Sequence, residues 1–471
     1  MNKTISINRV KNFGAVYTPL YIVQIMLELS GYDKDILEKH ILENSFGDGA
    51  FLREIVRKYC NVFTNVYGNK PNILKQHLET YIHGIEINYD EYIKCINMLD
   101  VIVSEYGVYN VSWDLYNDNA LNFDKFNGKM DYVIGNPPYV RVHNLDRDTV
   151  KQMEFTKTGM TDLYIAFYEI GLMQLNKYGK LCYITPSSFF TSKSGITLRE
   201  YIEKYHSLSD VIDLGKIQVF ENIMSYTAVT LFQNNKYFDY INYIDYETKK
   251  QQLLPYSEVF QSGQMHFDDL EILDLISTIN TYYDILNNSC ISVKNGYATL
   301  ADKIFINNDF MDDNIVLPVL KASTGKWSKM IFPYDSEGNP YSEEYIEEYY
   351  PSIYEYLISN KEKLISRSLE KNSDWFLFGR SQGIKDTFKN KIAINTMIKD
   401  FNSIKLNQVE KGMGIYSGLY ILSTYTFDDI YNAVYHSDFI KYLKSLRKYK
   451  SGGYYTFSSK DLEKYLMYRL H

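Results

Sequence analysis

At 471 residues, 45% of them hydrophobic, the chain is long enough for two domains with sizeable cores, and none of its apolar runs approaches the length of a membrane span. The net charge of −8 excludes a uniformly basic nucleic-acid binder, but the charge is uneven: 26 basic residues face 30 acidic ones in 1–250, 5 face 16 in 251–350, and 19 face 12 in 351–471. A polyanion would be gripped by the last third, although a merely uneven solvated surface has the same tally.

The N-terminal MNKTISINRV lacks the apolar region of a secretory signal. Cys60, Cys95, Cys182 and Cys290 show no CxxC spacing, which fits reduced thiols in the cytoplasm and argues against a zinc site. The tyrosines, 46 in all, are more than packing requires and suit stacking or wet interfaces.

From about residue 41 to 233, short apolar runs alternate with helical patterns. ILENSF reads as a strand, and GAFLREIVRKYC as a helix with Phe51, Leu52, Ile55 and Val56 on one face. YIHGIEI, VYNVSWD, DYVIG, LCYITP, DVIDLG and AVTLFQ follow as strands, most of them separated by helix-competent segments such as DLYIAFYEIGLMQLN. This alternation predicts an α/β fold with a doubly wound, mostly parallel sheet. The polar stretch 141–160 reads as a flap or as ordinary surface. Residues 1–245 are expected to form the first domain, 246–290 a connector, and 291–471 a second domain of mixed α and β structure.

Four strand ends carry candidate chemistry. In ENSFGDGAFL, Gly47 and Gly49 let backbone approach a ligand where a strand passes into a helix, or form a plain turn. Glu86, in GIEIN, follows 37 residues after Gly49 and is placed to accept from ribose hydroxyls; that spacing and the incomplete GxGxxG disfavour a dehydrogenase. Asp114, in SWDLY, is expected at the end of the third strand, to accept from an exocyclic amine or to cap a helix. DYVIGNPPYV then runs a buried strand into two prolines, which end it and hold Asn136 and Tyr139 stiffly. The Asn136 side-chain carbonyl and the Pro137 carbonyl are two acceptors for one –NH2 group, and Tyr139 offers a face to a planar ring. Neither Asn nor Pro is a base near neutral pH, so the site suits orienting an aromatic amine.

The order VYTP, ENSFGDGAFL, GIEIN, WDLY, GNPPYV, TDLYIAF, LCYITPSSFF and LGKIQVFENIMSYTAV, over about residues 13–233, resembles the γ-class, TaqI-like N6-adenine DNA methyltransferases of type II restriction–modification systems. The resemblance implies a Rossmann-like methyltransferase domain that binds S-adenosylmethionine. Tyr17, Thr18, Pro19, Ser45 and Gly47 would line the methionine end, and Glu86 would hold the ribose. Ile87, Asp114, Leu115 and Phe167 would surround the cofactor adenine, with Pro138 adding apolar contact. Asn136, Pro137, Pro138 and Tyr139 would receive a target adenine flipped from double-stranded DNA, with Phe220 closing its other face. The spacing from Phe220 to Ala228 departs from the family by about one residue, and Asp48 is assigned no role.

The second domain would then choose the sequence. Arg380, Ser381 and Gln382, in WFLFGRSQGIK, suit base reading, a phosphate clamp or a structural turn. Lys441, Lys444, Arg447, Lys448 and Lys450 suit phosphate contact or a solvated helix face. The expected protein is a monomeric, metal-independent methyltransferase with a separate cognate endonuclease. The alternatives are a methyltransferase of RNA or protein glutamine, a non-catalytic specificity subunit, and a fused nuclease using Asp239, Glu247 and Lys249.

Overall fold

The computed structural model describes residues 18–140, 153–157, 162–215, 217, 219–220, 226–286, 290–311, 313–371 and 373–471. The chain divides into two compact units at 267/268.

The first unit is built on a nine-stranded sheet in the order β3-β2-β1-β4-β5-β7-β6-β8-β9. The strands are β1 (Ile41–Glu43), β2 (Ile82–Ile85), β3 (Asp114–Tyr116), β4 (Met130–Gly135), β5 (Leu175–Pro186), β6 (Leu208–Asp213), β7 (Thr227–Gln233), β8 (Tyr240–Asp245) and β9 (Lys250–Pro255). β1, β2, β3, β4 and β5 pair in parallel, as do β6 and β8. β7 runs antiparallel between β5 and β6, and β9 antiparallel on β8. Every residue of β1 and β2 is buried, as expected of parallel strands covered on both faces.

The helix Ala50–Tyr67 shows how sequence dictates this layering. Phe51, Leu52, Ile55, Val56, Tyr59, Cys60 and Phe63 recur at helical spacing and are all buried, joining a core that includes Ile41, Ile82, Ile134 and Val229. Gly49 starts the helix at φ 81° and Gly68 ends it at φ 74°.

The expected strand VYNVSWD is displaced. β3 begins only at Asp114, because Ser112 N–H donates to Glu79 Oε1 (2.8 Å) and Trp113 Nε1–H to Asp100 Oδ1 (2.8 Å), holding the preceding residues as a loop. Nor is 246–290 a separate connector. β9 extends the large sheet, and the short hairpin β10–β11 (Phe260–Gln261, Gln264–Met265) stays with the first unit, Arg199 Nε–H donating to Gly263 O (2.7 Å). The helix Leu270–Ile285 belongs to the second unit, where Asn280 Oδ1 accepts from Lys464 (2.5 Å).

The second unit is mixed α and β, with three small sheets. One has the order β12-β19-β15-β17 and another β14-β13-β18. Their strands are β12 (Ile291–Asn295), β13 (Val316–Lys321), β14 (Lys326–Ile331), β15 (Lys391–Ile394), β17 (Leu406–Val409), β18 (Gly414–Tyr416) and β19 (Leu419–Ser423). The third joins β16 (Met397–Ile398), β20 (Tyr449–Lys450) and β21 (Tyr454–Thr456). Among the described residues no helix is long and apolar enough to cross a membrane.

Candidate active site

In the first unit the chain passes from β1 outward to β2 and β3, then returns to place β4 on the other side of β1. The carboxyl ends of β1 and β4 thus flank a topological switch point, where open α/β sheets bind ligands. Onto this edge the strands deliver Glu43–Gly49 after β1, Glu86–Asn88 after β2 and Asn136–Tyr139 after β4.

The loop after β1 is pinned from beside. Glu86 Oε2 accepts from Gly47 N–H (2.8 Å) and Oε1 from Asn88 N–H (2.7 Å). Burial raises its pKa, against the pull of those two N–H groups. Gly47 stands at φ 52° with open space where a side chain would begin, and the Ser45 hydroxyl oxygen is buried without a hydrogen-bond partner among the described residues. Ile87 is 57% exposed at the same edge, an apolar group left uncovered beside polar neighbours.

Sequence reasoning left Glu43 without a role. It ends β1 only 2% exposed, and its Oε2 accepts from Leu52 N–H (3.1 Å) in the first turn of the helix Ala50–Tyr67. Burial drives its pKa well above the ordinary carboxylate range, so a proton on this carboxyl relieves the cost of an enclosed charge. Its acidic side chain immediately before a glycine-flanked loop was the available signal.

Beyond β4, Asn136 Nδ2 donates to Thr18 Oγ1 (3.1 Å), which turns the amide oxygen away from Thr18. Pro137 is buried, whereas Pro138 and Tyr139 are half-buried. The Tyr139 hydroxyl donates to Ile184 O (3.0 Å) on β5, and its burial drives the phenol pKa far up, so the ring is anchored at its tip as a neutral phenol. Phe220 packs against it edge to face, with ring centroids 6.0 Å apart and planes at 72°, and is 2% exposed. These two rings do not form parallel walls.

The structure brings together Thr18, Ser45, Gly47, Glu86, Ile87, Asn136 and Tyr139, all on this edge, with Pro19 capping the helix Leu20–Ser30. Phe167 is buried in the helix Leu163–Gln174. Tyr17 and most of the polar stretch 141–160 lie outside the described residues.

Asp114 is the main correction. It opens β3 rather than ending it, in register with His83 near the start of β2, and so lies toward the opposite edge of the sheet. There its carboxylate accepts from His83 Nδ1 (2.6 Å), Lys125 Nζ (2.6 Å) and the Tyr116 hydroxyl (2.7 Å). Despite burial, these donors hold its pKa well below the ordinary range. Leu115 is likewise turned into the core, close to Gly84 and 5% exposed. The acid at the level of Glu86 is Asp118, which is exposed and whose N–H donates to Glu86 O (3.1 Å).

In the second unit, Arg380 Nη1 donates to Ser368 O (2.5 Å) and Gly379 O (2.7 Å), Ser381 N–H to Glu370 Oε1 (3.1 Å), and Gln382 Nε2 to Gly296 O (2.6 Å). These bonds make the segment a braced turn. Lys448 is ion-paired with Asp461, which also closes the Ser458 capping box, and Lys441 with Glu271 (2.8 Å); Lys444 is exposed. Lys448 is therefore half-buried and ion-paired within the fold.

Residues 24–220 match the family described as Eco57I restriction-modification methylase. The type II methyltransferase M.BstVI of Geobacillus stearothermophilus is 26% identical over 77% of this chain and 73% of its own length. The type II restriction enzyme and methyltransferase RM.Eco57I of Escherichia coli is 25% identical over 58% of this chain, which spans only 33% of that protein. Among solved structures, the type IIL restriction-modification enzyme MmeI, in complex with DNA, matches with a TM-score of 0.62 at 12% identity, over 97% of this chain and 66% of its own. The type ISP enzyme LlaGI, also with a DNA substrate mimic, gives 0.57 at 12% identity, over 98% of this chain and 55% of its own. At such identities the likeness is one of fold.

Proposed function

We propose that this chain, whose residues 24–220 match the Eco57I restriction-modification methylase family, is a DNA methyltransferase that modifies the N6 amino group of adenine, acting as the modification component of a restriction–modification system. The observation that carries the reading is the rigid Asn136–Tyr139 segment at the switch point, its amide oriented by Thr18 and its tyrosine anchored to Ile184, beside a glycine loop with open space.

S-adenosylmethionine fits the neighbouring residues. The buried Ser45 hydroxyl and the space at Gly47 suit its methionine end, Glu86 its ribose, and exposed Ile87 with Asp118 its adenine. When bound it supplies an electrophilic methyl group on a sulfonium. The residues of this chain act on the acceptor. An adenine N6 inside a duplex is stacked out of reach, so the base leaves the helix at a cost of a few kcal/mol, and stacking on Tyr139 recovers part of that. The amide oxygen of Asn136 and the carbonyl of Pro137 accept the two amino hydrogens. This favours pyramidalisation and frees a lone pair otherwise conjugated into the ring. Orientation, not prior deprotonation, is the contribution, and the surplus proton leaves to water afterwards.

The test is single-molecule sequencing of genomic DNA from cells without other adenine methylation, expressing the wild type or Asn136→Ala. One short motif carrying N6-methyladenine with the wild type alone is the expected result. Methylation persisting in Asn136→Ala would remove Asn136 from the amine-holding role, and absence of methyladenine with soluble wild type would refute the DNA reading.

A further inference from the structure

A cleft of about 810 Å3 in the second unit is lined by none of Arg380, Ser381 and Gln382, and by residues that no motif marked. It forms where both larger sheets of that unit end together. β12 finishes at Asn295 and β15 at Ile394, each paired there with Leu419 at the start of β19. β13 turns into β14 through Ser323, and β18 turns into β19 through Ser417 and Gly418. Its lining is mixed: the exposed polar residues Asn295, Asn402, Ser323, Ser417, Lys399 and Lys405 stand beside Met397 and Tyr454.

Its walls are built, and its exposed groups are left to face outward. Asn395, buried, donates to Met397 O (2.7 Å) and Ser403 O (3.0 Å) and accepts from Lys405 N–H (2.7 Å), so one side chain fixes the whole 397–405 loop. Ser417 stands at φ 56°, a left-handed conformation uncommon for serine, and its hydroxyl bonds that of Ser323 (3.1 Å), tying two turns together. A Cβ on Gly418 would come within 2.4 Å of Ala322 Cβ and 2.7 Å of Ile394 O, so the backbones meet there as closely as they can. Beneath lies a small apolar core including Leu320, Ala393, Ile415 and Tyr420. By contrast, the side chains of Asn295, Asn402, Lys399 and Lys405 make no hydrogen bond or ion pair among the described residues. The acid in the lining, Asp400, accepts from Ser403 N–H (3.0 Å).

We propose that this cleft, rather than the Arg380–Gln382 turn, reads the target sequence. Its amides Asn295 and Asn402 contact base edges in the major groove of double-stranded DNA, while Lys399 and Lys405 contact the flanking phosphates. The inference rests on the methyltransferase reading and assigns its sequence choice. Amides with both donor and acceptor, on a rigid frame and beside unpaired cations, suit a ligand with patterned polar edges and an anionic backbone. The Arg380 turn then has a positioning role: Gln382 holds Gly296, the neighbour of Asn295, and the turn supports the wall.

The test uses the full chain and 30-base-pair duplexes carrying the motif found by sequencing, together with duplexes changed at each base pair in turn. Binding is read by fluorescence anisotropy over a range of salt, with S-adenosylmethionine binding and thermal melting confirming that each variant is folded. Asn295→Ala and Asn402→Ala are each expected to lose about tenfold or more of the discrimination at one base pair. Lys399→Gln and Lys405→Gln are expected to weaken all duplexes alike and to reduce the salt slope by about one each. Arg380→Ala and Gln382→Ala should lower the melting temperature without moving the motif.

If the wild type binds and methylates DNA but the asparagine variants keep full discrimination, the cleft assignment falls and the enzyme reading stands. If Arg380→Ala instead relaxes the motif, reading belongs to the turn. A wild type that binds no duplex overturns both. Saturable binding of a small nucleotide, with no effect of these variants on duplex discrimination, overturns the cleft assignment alone.

Discussion

The two glycines of the loop after β1 share a left-handed backbone but face different surroundings, and this separates stability from ligand binding. At Gly49 (φ 81°) a Cβ would lie 2.4 Å from Cys95 Sγ and 3.3 Å from Cys95 Cβ. Gly49→Ala therefore incurs about 1–2 kcal/mol for the left-handed conformation and about 1–3 kcal/mol for overpacking a buried contact, roughly 2–5 kcal/mol together. At Gly47 (φ 52°) nothing lies within 4 Å, so only the first cost applies. Its new methyl instead occupies space assigned to the cofactor, and S-adenosylmethionine affinity should fall about tenfold or more. Urea unfolding followed by circular dichroism, compared at constant slope, measures the first effect, and calorimetric titration the second. In a Cys95→Ala background the sulfur is gone, and the cost of Gly49→Ala should shrink toward the conformational term alone. Equal costs at the two glycines, or no relief from Cys95→Ala, would refute the packing argument.

The relocation of the cofactor-adenine acid gives a paired test: Asp118→Asn should weaken S-adenosylmethionine binding about tenfold, whereas Asp114→Asn should lower the melting temperature and leave that affinity within twofold. Acid stability provides a third check. Although burial opposes it, bonds from Lys294 (2.8 Å), Lys389 (2.8 Å) and Tyr420 (2.9 Å) depress the Asp386 pKa from 3.8 to about 2. A depressed carboxyl stabilises the fold above its unfolded pKa, and that stability is lost as pH falls through its folded value. With the two lysines exposed and screened, about 1–2 kcal/mol should therefore disappear between pH 4 and 2 and be absent from Asp386→Asn, as followed by pH-dependent unfolding.

The parts of the site legible in the sequence were those set by covalent restriction. Pro137 and Pro138 can neither extend a ladder nor donate to it, so the end of β4 was readable from DYVIGNPPYV. Gly47 and Gly49 marked a turn for the same kind of reason. Asp114 was misplaced because VYNVSWD has a strand's composition, while the parallel register with β2 decides where β3 starts, and composition carries no register. Thr18 and Asn136 are 118 residues apart, so their contact had no local trace. The same holds more strongly in the second unit. Its cleft draws on 295, 323, 395–405 and 417, turns that only the folded sheets bring together. For Arg380 and Gln382 the basic, aromatic stretch leaves base reading, a phosphate clamp and a structural turn open, because the carbonyls of Ser368, Gly379 and Gly296 that their side chains bond are brought to them only by the fold.

These placements bear on how a base would enter. Stacking both faces of a purine requires two parallel rings with a gap of one base between them, yet Tyr139 and Phe220 meet edge to face and Phe220 is buried in the core. Only Tyr139 is pre-set: its hydroxyl is fixed on Ile184 O while its residue remains half-buried, so holding the ring costs nothing further when a base arrives. Phe220 must leave an edge-to-face contact worth about 0.5–1.5 kcal/mol before it can cover the second face. That cost adds to the few kcal/mol of unstacking, and it falls on every base that enters, cognate or not. The slot by itself therefore selects poorly. On the proposed reading, discrimination would come from contacts made while the duplex is still paired, with sequence choice falling to the second unit and amine selection to Asn136.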